Sequence, residues 1–343
     1  MEKFFNTAGP CLPERHYMIP PERRLGQVRE LIDRAAFFVI HAPRQTGKTT
    51  LIRTLSRKLT KEGKYAALTV SLESFTDPDV DKTLPRIVDK IYQDSLTSLP
   101  KGLEAPPKEG FWDNPNTALN TYLSAWSDKI KLPLVVLFDE ADAIPGKVLL
   151  SVLRQLRDGY TARPAPFPQS VALVGIRDVR DYKIQVRTDS DSLGTASPFN
   201  IKDESLTLRK FTQSEVSELL EQHTQETGQV FTEEAQTEIF HQTQGQPWLV
   251  NALAKHLTTH YAALVPDRSQ PVTKAHVLEA RELLIKRRDT HLDSLVDKLR
   301  EPRIKIVIAP ILTGDVDTEE TYDDDFSYAK DLGIVAIRDG KRQ

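Results

Sequence analysis

Cysteine is almost missing from this 343-residue chain, in which Cys11 is the only one. A single cysteine cannot form a disulfide within the chain, which excludes a disulfide-stabilised fold and suits a reducing cytoplasm. Long apolar runs are missing too, because nowhere do about 18 apolar residues follow one another, as a membrane-spanning helix needs. The first residues lack the apolar core of a signal peptide. These features predict a soluble cytoplasmic protein without a membrane partner.

A large excess of either charge is also lacking, since the formal net charge is −3 with 28% charged residues. A chain so balanced has no bulk affinity for polyanions, and any contact with nucleic acid would have to be local. With 39% hydrophobic residues the composition is that of an ordinary globular protein. The length exceeds that of one compact core and predicts two or three domains.

The most informative stretch is an apolar run, Phe37 to Ile40, that breaks into a loop and reopens as a helix. The loop ends in Gly47-Lys48-Thr49 and resembles the P-loop pattern G-x-x-x-x-G-K-[ST]. Such a loop binds phosphate because its backbone N–H groups curl around the phosphate oxygens at a helix N-terminus. We therefore predict that the nucleotide is bound by Ala42, Pro43, Arg44, Gln45, Thr46, Gly47, Lys48, Thr49 and Thr50.

Two residues of the loop have specific predicted roles. Lys48 would reach the β- and γ-phosphates of ATP, and the Thr49 hydroxyl would ligate Mg²⁺. Ala42 stands where the pattern usually has its first glycine, so we expect some loss of backbone freedom at the loop entrance. The alternative is a chance match in a loop rich in lysine and threonine, which the strand before it and the helix after it oppose.

A second apolar run, from Leu132 to Phe138, ends in the acidic pair Asp139-Glu140. A parallel strand buried on both faces delivers its last residues to the ligand crevice at the carboxyl edge of the sheet. Asp139 would then hold Mg²⁺ through its water shell, and Glu140 would orient or deprotonate the attacking water. Alone, the pair would be a capped strand end, but after a P-loop it predicts Mg²⁺-dependent ATP hydrolysis with Glu140 and Lys48 as catalytic residues.

A third catalytic candidate, Arg177, follows the strand from Ser170 to Ile176. At this strand tip an arginine can touch the γ-phosphate of ATP and lose that contact on hydrolysis. The alternative is a surface ion pair with Asp178 or Asp181.

Strands and helices alternate up to about Leu206, which predicts an α/β fold with a doubly wound parallel sheet. Helices then take over, and the capping box Thr212-x-x-Glu215 opens the first of them. Prolines make residues 1–24 an extended arm, which either covers the nucleotide base or straps the surface. The predicted domains are an arm with a lead-in helix (1–34), a P-loop ATPase core (35–205), a helical lid (206–290) and a winged-helix-like domain (291–343).

Four motifs resemble a prokaryotic family of AAA-like ATPases, and they lie at residues 4–10, 12–17 (with Pro13 one place off), 43–49 and 245–248. More broadly, the chain is similar to the STAND branch of the AAA+ P-loop NTPases, which are signal-transducing switches. The resemblance implies a G-x-P motif in the helical lid that packs against the nucleotide, here Gly245 and Pro247. It also implies an arginine after the strand that follows the acidic one, here Arg177. It implies little about biological role.

The charge is uneven within and just before the predicted winged-helix-like domain. Residues 281–305 carry eight basic and five acidic side chains, whereas residues 315–331 carry eight acidic and one basic. So much acid would repel phosphate, which favours a protein-facing or autoinhibitory role over DNA binding. Gly333 to Ile337 predicts a strand and Asp339-Gly340 a hairpin turn, with no return strand expected before Gln343. The chain would then be a fragment, pair this edge with another chain, or carry a short wing.

The leading hypothesis for function is an ATP-binding and ATP-hydrolysing switch that holds ADP when closed and exchanges it for ATP when triggered. Its expected partners are nucleotide and a protein effector, with oligomerisation on ATP binding. The rival is a DNA-transaction AAA+ ATPase, such as a loader or a transposition accessory, that acts as an oligomer on nucleic acid. A nucleotide-binding scaffold without turnover is a third reading, which Glu140 disfavours.

Overall fold

The structure, a computed structural model, divides into two compact units. The core unit comprises Leu25–Ala42 and Lys48–Leu208. The lid unit comprises Met1–Arg24, Pro43–Gly47 and Arg209–Gln343, so the middle of the P-loop groups with the lid helices. The residues that the structure describes are 2–111, 113–176, 204–259, 263–287, 298–313, 324–338 and 341–342.

One five-stranded sheet forms the centre of the core unit. Its strands are β1 Phe37–His41, β2 Ala66–Ser71, β3 Leu134–Asp139, β4 Ser170–Gly175 and β5 Glu204–Thr207. They lie in the order β2-β3-β4-β1-β5, and every neighbouring pair is parallel. β3 and β4 are buried along their whole length, as unbroken apolar runs require when helices cover both faces. The predicted α/β fold with a parallel sheet is confirmed.

Helices cover both faces of this sheet, and the alternation of side chains along each strand divides the apolar residues between them. In the described part of the core unit they are α1 Val28–Asp33, α2 Lys48–Lys61, α3 Val80–Ser98, α4 Pro115–Lys129 and α5 Gly146–Thr161. Leu68 and Val136 pack with apolar residues of α3, α4 and α5, whereas Ala67 and Val135 pack with those of α1 and α2. The carboxyl edge between these layers is where the site residues of the core unit lie.

Two features of the core unit differ from expectation. The lead-in helix, which the spacing of apolar residues predicts from Glu22 to Ala36, is shorter, because a 3₁₀ turn at Pro21–Arg24 is separated from α1 by a stretch that contains Gly26, a poor helix former. The edge strand β5 is not predicted by the sequence pattern. Only one of its four residues, Leu206, is buried, so a period-2 signal is hardly visible.

Four of the described helices of the lid unit fall within the predicted helical lid (206–290): α6 Gln213–Thr227, α7 Glu233–Thr243, α8 Pro247–Thr258 and α9 Lys274–Arg287. The capping box is confirmed, since the Thr212 hydroxyl accepts from the Glu215 N–H at 3.2 Å and a Glu215 carboxylate oxygen accepts from the Thr212 N–H at 2.9 Å. Among the residues that the structure describes, no helix is both long and apolar enough to span a membrane.

The N-terminal arm is part of the lid core. Phe5 and Tyr17 are 0% and 1% exposed and belong to one apolar cluster with residues of α6 and α8. The Trp248 indole N–H donates to the carbonyl of Thr7 at 2.9 Å, which joins the first and last of the four family-like motifs. A surface strap therefore does not describe this arm, because its aromatic side chains fill the interior of the lid unit.

The C-terminal segment contains α10 Pro302–Thr313 and α11 Asp324–Asp331, followed by β6 Ile337–Arg338 and β7 Lys341–Arg342. β6 and β7 pair antiparallel, so the prediction that no return strand follows is wrong. Residues 291–297, with which the predicted winged-helix-like domain begins, lie outside the described residues, and that assignment stays a proposal.

Candidate nucleotide-binding site

The entrance of the P-loop continues β1 in the core unit. The Ala42 N–H donates to the carbonyl of Gly175 at 3.3 Å, which extends the pairing of β1 with β4. The backbone of Ala42 does not adopt the left-handed conformation. An alanine in place of the first glycine of the motif therefore causes no backbone strain here.

The middle of the loop, which groups with the lid unit, has the backbone of an anion nest. Gln45 and Gly47 have left-handed φ angles of 59° and 93°, and left-handed residues within a turn make successive N–H groups converge. Thr46 between them is 0% exposed, and its hydroxyl donates to the carbonyl of Pro43 at 2.8 Å. The Thr46 side chain thus stabilises the conformation of the loop.

Lys48 and Thr49 begin α2 and face the end of the acidic strand β3. Lys48 is 6% exposed, and its Nζ donates to the carbonyl of Ala42 at 2.8 Å. The Thr49 hydroxyl donates to Oδ2 of Asp139 at 2.7 Å. The core unit therefore brings together three residues that the sequence assigned to phosphate and Mg²⁺.

Asp139 is a buried carboxylate, 3% exposed. Burial raises its pKa above the ordinary value, while the bond from Thr49 and the charge of Lys48 act in the opposite direction. A buried carboxylate beside a hydroxyl is a set of hard oxygen ligands, the kind that Mg²⁺ prefers. The residues therefore fit a Mg²⁺ ion, which would also offset the cost of burying the Asp139 charge.

Glu140 lies directly beyond β3 with a left-handed backbone, φ 53° and ψ 41°. Such a conformation is strained for a residue with a Cβ and is most often kept at functional sites. Burial first, and then the charges of Asp139 and Asp142, raise the pKa of Glu140. A carboxylate whose pKa is raised in this way is a better proton acceptor at neutral pH.

Asp142 is a positioning residue that the sequence analysis did not single out. Its Oδ1 accepts the Ile176 N–H at 3.1 Å, which ties the turn after β3 to the end of β4. A Cβ at Gly175 would lie 2.6 Å from the same oxygen, so only glycine leaves room for this carboxylate. The signal available in the sequence is a third acid two residues after Asp139-Glu140.

The Gly245-Gln246-Pro247 motif lies at the start of α8 in the lid unit. A Cβ at Gly245 would lie 2.0 Å from the carbonyl oxygen of Phe211, and its backbone φ is 69°, so both packing and conformation favour glycine here. Pro247 is buried at the first helical position, where a missing N–H costs nothing. Gln246, which we did not predict, donates from Nε2 toward the carbonyls of Arg44 and Gln45 at 3.4 and 3.5 Å.

Arg24 is a second residue of the lid unit that holds the loop, and the sequence did not predict its role either. Its Nη1 donates to the carbonyl of Thr46 at 2.8 Å. Nothing in the local sequence Glu22-Arg23-Arg24 distinguishes it from its neighbour, whose guanidinium pairs with Glu218. Arg177 lies outside the described residues, so its contact with phosphate stays a prediction.

Comparison with known families decides the assignment. The sequence matches the model of the family described as AAA-like domain over residues 15–265. The chain belongs to this family. No curated protein matches the AAA-like chain significantly.

Solved structures show that the fold of this AAA-like protein is that of P-loop ATPases. The Walker-type ATPase PABY2304 of Pyrococcus abyssi aligns with a TM-score of 0.63 and 14% identity, over 99% of this chain and 96% of that one. Cdc6p from Pyrobaculum aerophilum aligns with a TM-score of 0.54 and 13% identity, over 95% of this chain and 83% of that one. At such identities the likeness extends to the fold alone.

Proposed function

We propose that this AAA-like protein is a Mg²⁺-dependent ATPase that works as a slow conformational switch of the STAND type. The observation that carries the proposal is the bond between Thr49 and Asp139, whose oxygens lie 2.7 Å apart although the residues are 90 positions apart in the chain. A P-loop hydroxyl and a buried carboxylate at one sheet edge are the protein ligands that a Mg²⁺·nucleotide complex uses.

Each residue of the site has a role in this proposal. Lys48 would leave its loop carbonyl and neutralise the β- and γ-phosphates. Thr49 and Asp139 would hold Mg²⁺, which supplies further positive charge against the phosphate oxygens. Glu140 would orient the attacking water and accept its proton, and Arg177 would distinguish ATP from ADP through the γ-phosphate.

The proposal of a conformational switch also assigns roles to the rest of the chain. We assign the core to residues 35–205, the lid to 206–290 and a winged-helix-like regulatory domain to 291–343, preceded by the arm and lead-in helix at 1–34. The eight acidic side chains of residues 315–331 would repel phosphate, and they therefore support a protein effector over nucleic acid as the partner. Gly245 and Pro247 would carry the state of the nucleotide into the lid, and the ATP form would oligomerise. The single cysteine supports a cytoplasmic location.

Two substitutions test the ATPase proposal. Lys48→Ala should lower ATP and ADP affinity by about 10- to 100-fold, because charge-assisted bonds to phosphate are lost. Glu140→Gln should bind both nucleotides as the wild type does but lose about 100-fold or more in turnover, because the proton acceptor is gone. Calorimetric titration and a phosphate-release assay measure the two effects. Mass analysis of nucleotide released from the purified protein should find ADP.

Lys58→Ala is the matched control, because it removes an exposed lysine from the same helix and should change neither quantity. Wild-type turnover in Glu140→Gln would show that Glu140 does not orient the water. A wild-type protein that binds no nucleotide would contradict the proposal as a whole.

One observation favours the rival function, a nucleic-acid-dependent ATPase. A groove of about 750 Å³ in the core unit runs beside α2 and β2 to Asp139. Arg53, Arg57 and Lys61 line it at successive helical turns, and within the described residues none of their three side chains forms an ion pair or hydrogen bond. We call this the basic groove. Among the described residues no aromatic side chain lines it, so this lining suits a phosphate backbone better than stacked bases.

A further inference from the structure

Arg24 is a buried cation in the lid unit with unusual partners. It is 6% exposed, and its Nη1 donates to two backbone carbonyls, of Thr46 at 2.8 Å and of Arg209 at 3.1 Å. Its guanidinium lies 5.0 Å from the centre of the Phe211 ring. Within the described residues its buried Nε has no partner, and Arg24 forms no ion pair with a carboxylate. Burying an arginine in this way is costly, so a compensating role is expected.

The bond to Thr46 fixes the direction of one peptide group of the P-loop. A trans peptide is planar, so its C=O and N–H point in opposite directions. Because Arg24 holds the carbonyl of Thr46, the N–H of Gly47 must face away from Arg24. The guanidinium also packs against Gly47, where a Cβ would lie 2.9 Å from Nη2.

Gln246 acts on the two preceding peptide groups in the same way, although less strongly. Its Nε2 lies 3.4 Å from the carbonyl of Arg44 and 3.5 Å from that of Gln45. Phe211 connects this residue with Arg24, since the Phe211 N–H donates to the carbonyl of Gly245 at 2.9 Å and its ring receives the guanidinium. One network in the lid unit thus holds three successive carbonyls of the loop.

We propose that Arg24 is a positioning residue for phosphate binding, which turns the Thr46–Gly47 peptide so that the Gly47 N–H is presented to the nucleotide before it arrives. The inference rests on the proposed nucleotide site and concerns how its backbone is prepared. Preorganised donors need not be reoriented on binding, which increases affinity. Arg24 acts through the loop and does not itself touch phosphate.

The test compares Arg24→Ala with Arg23→Ala, a matched control that removes the neighbouring exposed arginine and its ion pair with Glu218. Arg24→Ala should weaken ADP binding by about 10- to 100-fold, since one charge-assisted bond and the peptide orientation are lost. Arg23→Ala should stay within about threefold of the wild type. Arg24→Lys, which can still donate to one carbonyl, should lose less than the alanine variant.

Chemical rescue separates positioning from general damage to the lid. Guanidinium chloride at about 20 mM should recover roughly tenfold of the lost ADP affinity in Arg24→Ala but none in Lys48→Ala, with NaCl as the ionic-strength control. A loss that guanidinium does not restore, or an ADP affinity within about threefold of Arg23→Ala, would overturn the inference and leave the ATPase proposal standing. A wild-type protein that binds no ADP would instead overturn the ATPase proposal itself.

Discussion

At the scale of single residues, the hydrogen bond between Asp142 and Ile176 connects the turn after the acidic strand with the strand that precedes Arg177. Asp142 accepts the Ile176 N–H at 3.1 Å, and it fits only because residue 175 has no side chain. Its negative charge also contributes to the raised pKa of Glu140. One carboxylate therefore affects both the position of β4's end and the proton affinity of the predicted base.

This contact predicts non-additive effects on stability. Gly175→Ala should destabilise the core unit by about 1–3 kcal/mol, because the new Cβ would lie 2.6 Å from Oδ1 of Asp142. The same change in an Asp142→Ala background should cost well under 1 kcal/mol, since the clashing oxygen is gone. Urea unfolding of the wild type, the two single variants and the double variant measures the four free energies of this double-mutant cycle. Equal costs in both backgrounds would mean that the clash is with other atoms.

At the scale of elements, a buried histidine of helix α6 packs against aromatic residues of the N-terminal arm. His223 is 0% exposed, and its ring lies 5.6 Å from the ring centres of both Phe5 and Tyr17. Its Nε2 bonds to Oε1 of Gln229 at 3.0 Å. Burial lowers the pKa of His223 below the ordinary value of about 6.5. The arm thus packs on a histidine whose burial favours the neutral form.

Acid should therefore weaken the lid unit. Because the folded pKa of His223 is the lower one, its contribution to stability is present above about pH 6.5 and is lost as pH falls toward the folded value. Each unit of difference corresponds to about 1.4 kcal/mol. The urea midpoint should fall between about pH 7.5 and 5.5 in the wild type and fall less in His223→Gln.

His241→Gln is the control, because this histidine has a side chain that is 69% exposed on α7. It should follow the wild-type pH dependence. An unchanged pH dependence in His223→Gln would assign the acid sensitivity to other groups, such as His16, whose pKa burial also lowers.

At the scale of the whole molecule, charge distinguishes the two candidate functions. The net charge of −3 gives no general attraction to nucleic acid, but the basic groove places three cations in a row. A contact between these cations and a single strand would release counterions and give a log–log salt slope of about −2. The switch proposal requires no such contact.

Turnover in the presence of DNA therefore separates the functions. Under the switch proposal, we expect single- and double-stranded DNA at about 50 mM salt to change ATP turnover less than about twofold. The double variant Arg57→Glu/Lys61→Glu should then behave like the wild type. DNA-stimulated turnover that falls with salt and disappears in this variant, but not in Lys58→Glu, would establish the rival function.

The sequence by itself determined the elements whose signals are local. Continuous apolar runs specify β1, β3 and β4 because both faces of each strand are buried. The four lid helices could be placed from capping residues and helical spacing, since a helix end is satisfied by residues a few positions away. The P-loop and the Asp139-Glu140 pair follow from the same local chemistry at strand ends.

Only the tertiary structure decided which distant groups complete the site. Arg24 is 22 residues from the carbonyl that it holds, Gln246 is 202 from Arg44, and Asp142 is 34 from Ile176. Each of these polar side chains bonds to a backbone group, and every residue type except proline carries the same N–H and C=O. The sequence around the bonded backbone group therefore does not indicate that the group is contacted. Folding alone selects the partner, because a buried donor or acceptor must find one wherever the chain happens to pass.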